Sequence, residues 1–204
     1  MLAMNRLSRV GLVSVAALGL SAASQAIVFS NINMTFTPLG LGAGSSTVIS
    51  ASDIDFFTPN FQVGDFMFGP ARVGVLTLTY EATDRNAMNC MIFTLLGSVG
   101  GSGQIQVSEV IEDMNTPGII GTLPNTVINN NSQLPASWNI NFTRGSTHIK
   151  VKKDILISAE PDTNALDFAR VGLIEQTIKT VPEPATIAAI GMGLAALMGR
   201  RRKN

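Results

Sequence analysis

HIKVKKDILIS, His148 to Ser158, puts Ile149, Val151, Ile155 and Ile157 on alternate positions. A period of two is that of a β-strand with one buried face, because successive side chains point to opposite sides of the sheet. Lys153 falls in phase with the apolar set. A cation there implies either a bulge near the KKD triplet or an edge strand guarded by an inward charge. His148, the only histidine of the chain, shares the opposite face with Lys150 and is expected in solvent.

The same rhythm recurs on both sides of this stretch. In VLTLTYE, Leu76, Leu78 and Tyr80 alternate with Thr77, Thr79 and Glu81; in GQIQVSE, Ile105 and Val107 alternate with Gln104, Gln106 and Ser108. Further strands are expected at Asn31–Phe36, Phe66–Phe68, Met91–Val99, Trp138–Phe142 and Ala169–Ile178. Turn formers lie between them: GLGAGSS, TPN, GP, GSVGGSG, NTPG and INNNSQLP. No long helical period with start and stop signals interrupts them. Short strands punctuated by Gly, Pro and Asn predict an all-β body over residues 27–180, an antiparallel β-sandwich or jelly roll.

The two ends have a different character. Arg6 and Arg9 precede the apolar run VGLVSVAALGL, and SAASQA follows with small residues at Ser24 and Ala26. A basic start, a short apolar run and a small-x-small end make a secretory signal peptide over residues 1–26, with cleavage after Ala26; the alternative is a buried N-terminal helix. At the other end, VPEPATIAAIGMGLAALMGRRRKN runs from an extended Pro182-Glu183-Pro184 through an uncharged segment, 185–199, to Arg200, Arg201, Arg202 and Lys203. As a helix that segment spans about 22 Å, short for a bilayer core of about 30 Å. The basic cluster marks a cytoplasmic end for a short transmembrane helix, with the body outside. Gly191, Ala195 and Gly199 also form a small-xxx-small stripe.

The formal charge of zero conceals an imbalance. Removing residues 1–26 and everything after Pro184 takes Lys+Arg from 14 to 8 against 14 acids, a body charge of −6. An acidic body argues against nucleic acid as partner. With one cysteine, Cys90, no intramolecular disulfide can form, and its apolar neighbours read as those of a buried thiol.

VPEPAT, a short apolar run and RRRKN, in that order at the C-terminus, resemble the PEP-CTERM sorting signal of bacterial exported proteins. The resemblance covers residues 181–204. It implies recognition of Pro182, Glu183 and Pro184 by an exosortase, a membrane-embedded protease or transpeptidase, while the apolar helix and basic cluster act as a transient inner-membrane anchor. It further implies a Gram-negative bacterium, a final place on the outer surface or in extracellular matrix, exopolysaccharide or biofilm as the setting, and a β-sandwich body.

Within the body no residue pattern carries strong chemistry. There is no nucleophile elbow and no H-E-x-x-H, so His148 lacks a local catalytic partner. Asp53, Asp55 and Asp65 flank DFFTPNFQVGD and are weak candidates for Ca²⁺; ordinary turn chemistry explains them as well. Glu109, Glu112 and Asp113 read as a solvated strand end. Trp138 and Tyr80 could stack on a sugar, but Trp138 is in phase with Ile140 and Phe142 and is expected on the core face. Phe56, Phe57, Phe61, Phe66 and Phe68 are expected mostly in the core. The expected function is that of an exported, non-enzymatic surface or matrix protein without a cofactor; the alternatives are a carbohydrate-binding module of the same fold and a hydrolase.

Overall fold

A computed structural model describes residues 26–65, 72–160 and 166–181. Apart from Ala26, the expected signal peptide lies outside the described residues, as do the expected strand Phe66–Phe68 and everything from Pro182 onward. The described residues form nine strands: β1 (Val28–Thr37), β2 (Ser46–Ile49), β3 (Asp53–Phe57), β4 (Gln62–Gly64), β5 (Val73–Gly100), β6 (Gln104–Asp113), β7 (Gly118–Ile128), β8 (Ala136–Ser158) and β9 (Phe168–Thr180). All pairings are antiparallel, and helix is limited to two short 3₁₀ turns.

Two long strands organise the molecule. The first half of β5 pairs with β1 on one side and with His148–Ser158 of β8 on the other; β6 and then β7 continue that layer. Past a register irregularity between Thr83 and Met88, the second half of β5 pairs with Ala136–Asn141 of β8 and with β9, which carries β3, β2 and β4. The layers face each other across one hydrophobic cluster. Tyr80 of the first layer lies 6.0 Å from Phe56 of the second, and Lys153 of the first sits 3.1 Å above the Phe93 ring of the second. The architecture is therefore mostly antiparallel β and sandwich-like.

Alternation explains the packing. Leu76, Leu78 and Tyr80 from β5, Ile105 and Val107 from β6, and Ile149, Val151, Ile155 and Ile157 from β8 are all buried, while the residues between them, Lys153 apart, face outward. Burying each large apolar side chain contributes about 1.5–3 kcal/mol. Val75–Glu81 and Met91–Val99, expected as two strands, are halves of β5; Trp138–Phe142 and His148–Ser158 are likewise halves of β8. The polar stretches between the halves bend the strands without ending them. Gly101, at φ +55°, makes the tight turn into β6; a Cβ there would collide with Asp167 Oδ1.

Lys153 needs a correction. It is neither at a bulge nor on an edge: the register from Val73↔Ser158 to Thr83↔His148 is unbroken, and β8 is flanked there by β5 and β6. An internal partner, Glu109, sits directly opposite it on β6. Strands β2, β3, β4 and β7 were not legible as strands. The first three are short, and Gly121 and Pro124 interrupt the alternation of β7, whose pairing with β6 shifts register there.

Candidate functional site

The body begins and ends at defined hydrogen bonds. Ile27, the residue after the expected cleavage point, is buried, and its N–H donates to the Ala51 carbonyl at 2.7 Å; Ala26 is exposed. At the other end β9 finishes at Thr180, and the Val181 N–H donates to the Ala87 carbonyl at 2.9 Å, on the bend of β5. Thus the segment that carries Pro182, Glu183, Pro184 and the basic cluster Arg200–Lys203 follows the last strand with no spacer. Those residues themselves lie outside the described ones, and among the described residues no helix is long and apolar enough to cross a membrane.

His148 is half-buried rather than fully exposed. Its Nε2 lies 2.9 Å from Glu81 Oε2, across the β5–β8 ladder. The His148 hydrogen bond, then one from Asn31, holds the Glu81 carboxyl below its ordinary pKa. Two residues before His148, the Ser146 hydroxyl donates to Asp113 Oδ1 at 2.7 Å. Serine and imidazole are each engaged with a different carboxylate, and the pairing that nucleophilic catalysis requires is not made between them.

The acids Glu109, Glu112 and Asp113 are not one solvated group. Glu112 is exposed, but Glu109 is 1% and Asp113 4% exposed. Asp113 closes the β6–β7 turn. Burial pushes its carboxyl up, yet hydrogen bonds from Ser146, from the N–H groups of Asn115 and Thr116 and from Arg144 outweigh that and hold it below the ordinary value. Beside this turn lies a depression of about 300 Å³ lined by Glu112, Asp113, Met114, Pro117, Gly118 and Ile119.

Asp53 and Asp55 share one face of β3. Asp53 accepts from the Ser50 and Ser52 hydroxyls, and the Asp55 carboxyl is raised by burial and then by Asp53. Asp65 accepts from the Asp167 N–H at the far end of β9, about 20 Å along the strand from β3's partners. The structure therefore does not bring the three together, and among the described residues no group of three or more His, Cys, Asp or Glu could hold a metal ion.

The ring residues face inward. Tyr80 is 1% exposed, and Trp138 packs against Phe93 with centroids 4.9 Å apart. Phe56 and Phe61 are buried, Phe57 is 38% exposed, and Phe66 and Phe68 lie outside the described residues. Cys90 is buried.

A polar cluster that the sequence did not single out sits between the layers. Lys153 Nζ lies 2.7 Å from Glu109 Oε2, with both side chains 0% exposed, and the Gln176 carboxamide N–H donates to Glu109 Oε1. The Tyr80 hydroxyl is 3.7 Å from Met91 Sδ, and burial, then the Glu109 charge, pushes its pKa well above the ordinary value. Phase was the available signal: Glu109 continues the inward set of Ile105 and Val107, and Gln176 stands between Ile174 and Ile178.

The last strand of the all-β body runs directly into the C-terminal segment. Residues 180–203 match the family described as the PEP-CTERM protein-sorting motif, and the chain carries that motif. The motif indicates export and sorting to the cell surface. No curated protein matches the sequence. Among solved structures, the chain is similar to TmCBM61 in complex with beta-1,4-galactotriose at 9% identity, covering 76% of this chain and 87% of that one with a TM-score of 0.34. It is also similar to the enzymatically active domain of tailspike protein 4 of Bacteriophage CBA120 at 8% identity, covering 76% of this chain and 20% of that one with a TM-score of 0.29. A family 11 carbohydrate-binding module from Clostridium thermocellum, in complex with a beta-1,3-1,4-mixed-linked tetrasaccharide, matches at 7% identity, with coverages of 74% and 86% and a TM-score of 0.20. At these scores the likenesses carry no argument.

Proposed function

We propose that the chain is an exported cell-surface or extracellular-matrix protein. In this reading an exosortase recognises Pro182-Glu183-Pro184, the apolar helix at 185–199 holds the protein briefly at the inner membrane, and the β-sandwich body over 27–180 is the delivered, non-enzymatic cargo in an exopolysaccharide or biofilm setting. The observation that carries it is the sorting motif at 180–203, which begins on the last residue of β9. Burial of Ile27, the first residue after the expected signal-peptide cut, and its hydrogen bond to the Ala51 carbonyl support a body that includes it, in keeping with limits of 1–26, 27–180 and 181–204. Engagement of His148 by Glu81 and of Ser146 by Asp113 supports a body without nucleophilic chemistry. A carbohydrate-binding role could not stack the sugar on Tyr80 or Trp138, since both pack on the core.

Fractionation of the native host, with intact-mass measurement of each fraction, tests the proposal. Expected is a species beginning at Ile27 and shortened at or near Pro184, recovered from the outer surface or matrix. A full-length species confined to the cytoplasm overturns it.

A further inference from the structure

Three polar side chains from three strands meet in the dry space between the layers: Lys153 of β8, Glu109 of β6 and Gln176 of β9. One Glu109 oxygen lies 2.7 Å from Lys153 Nζ, and the other accepts from the Gln176 carboxamide. Two groups held by one carboxylate lie within about 6 Å of each other. The Phe93 ring covers the amine at 3.1 Å. Gln176 Oε1 is buried and has no hydrogen-bond partner. Each feature is costly for a merely structural contact: an orphaned buried carbonyl loses the hydrogen bond it had in water, and a buried ion pair is often no better than apolar packing of the same volume.

The geometry points to a covalent cross-link: Lys153 Nζ and Gln176 Cδ form an intramolecular amide with release of ammonia, and Glu109 serves as the acid–base group. In a dry interior the neutral forms of an acid and an amine are favoured. The reaction begins with transfer of a proton along the 2.7 Å contact from Lys153 to Glu109, which leaves a free amine beside a carboxylic acid. A half-turn of the carboxamide, whose two ends have the same shape, brings Oε1 against Glu109. The protonated carboxyl then donates to that oxygen and polarises the carbonyl. The amine lone pair attacks Cδ and the Nζ–Cδ bond forms. Glu109 relays a proton from Nζ to the departing nitrogen, the Cδ–Nε2 bond breaks and ammonia leaves. Three ammonium hydrogens and two amide hydrogens become one amide hydrogen, three on ammonia and one on Glu109. No oxidant, reductant or second substrate is needed. Holding the reactants together replaces a bimolecular encounter with an intramolecular one. Burial supports the amine form, holding the Lys153 pKa down to about 8 although Glu109 pulls it up. A link between β8 and β9 also supplies what the single cysteine cannot, a covalent tie between the two layers.

Tryptic digestion and mass spectrometry of the folded full-length protein tests this. An unlinked protein is cut after Lys152, Lys153, Arg170 and Lys179 and gives free peptides 154–170 and 171–179; an acylated Lys153 is not cut, so the linked protein keeps 153–170 joined to 171–179. Expected is that branched species, lighter by one ammonia than 153–170 and 171–179 together, with both free peptides lost. Recovery of the two free peptides at their ordinary masses overturns the link, and so does a species joining Lys153 to Glu109 with loss of one water. Glu109→Gln separates the chemistry from the contact: folded E109Q yielding the free peptides supports the proton relay, whereas a link formed at the wild-type yield removes Glu109 from it. Should E109Q fail to fold, the wild-type digest alone decides.

Discussion

Lys153 shows how one residue can be well accommodated in a place its type avoids. Its ammonium has one carboxylate partner and an aromatic ring, both fully out of water. Removing only one member of a buried pair leaves an uncompensated charge. In a Gln176→Met background, which cannot form the link, Lys153→Met is therefore expected to cost about 3–5 kcal/mol, and adding Glu109→Leu to recover most of it, as read from denaturant unfolding. pH dependence follows from the same burial. Unfolded Lys153 keeps its proton up to about 10.5 but the folded, unlinked residue only up to about 8, so between these values the unfolded state binds the extra proton. Stability then rises with pH across that window. Gln176→Met, which cannot form the link, should show this rise, and the cross-linked wild type should not. Asp113 behaves oppositely in role, since it satisfies donors rather than needing one. Asp113→Ala removes the acceptor of the Asn115 and Thr116 N–H groups and of Arg144, and leaves the Ser146 hydroxyl only the His148 carbonyl, for an expected loss of about 1–3 kcal/mol in thermal or denaturant melts.

Elements matter here through sharing. Because β5 and β8 each serve both layers, damage to either half is felt across the core. Phe93→Ala in the second half of β5 removes the ring that touches both Trp138 and Lys153, and about 3–5 kcal/mol of stability should go with it. Trp138 is the only tryptophan, so its emission should shift to the red in that variant. The strands that sequence reading found are those with clean alternation over several residues, as in Leu76–Tyr80 and Ile149–Ile157. DIDFF alternates too, with Ile54 and Phe56 inward, but five residues beside a turn read equally well as loop chemistry. The continuity of β5 and β8 was hidden because a bend leaves the local pattern intact and changes only which strands lie alongside. The interlayer cluster was half visible. Lys153 announced itself by phase, but its partners come from strands 44 positions earlier and 23 later, and pairing at that range is set by topology rather than by local spacing.

For the whole molecule, the described body is tied at its two ends by the Ile27 and Val181 hydrogen bonds, and the sorting motif begins at its last strand. Replacing Pro182, Glu183 and Pro184 with alanines should leave the body folded, because no described strand contains them, while an uncut form accumulates at the inner membrane. Immunoblotting of membrane and surface fractions reads this out, and unaltered delivery of the triple variant would count against the sorting role. That role was fully legible in the sequence, since a linear signal is read as an extended peptide. What the body does was not, since its polar side chains act where folding brings them together.

The place of β9 has a mechanical consequence. Tension applied from the C-terminal side enters at Val181 and runs along a strand held on one flank by β3 and on the other by β5. Such a load must shear two ladders together; it cannot peel one hydrogen bond at a time, as it could from a rim strand. A body pulled by its own tether would thus yield late, and a bond from Gln176 to Lys153 would carry the strain past both ladders into β8.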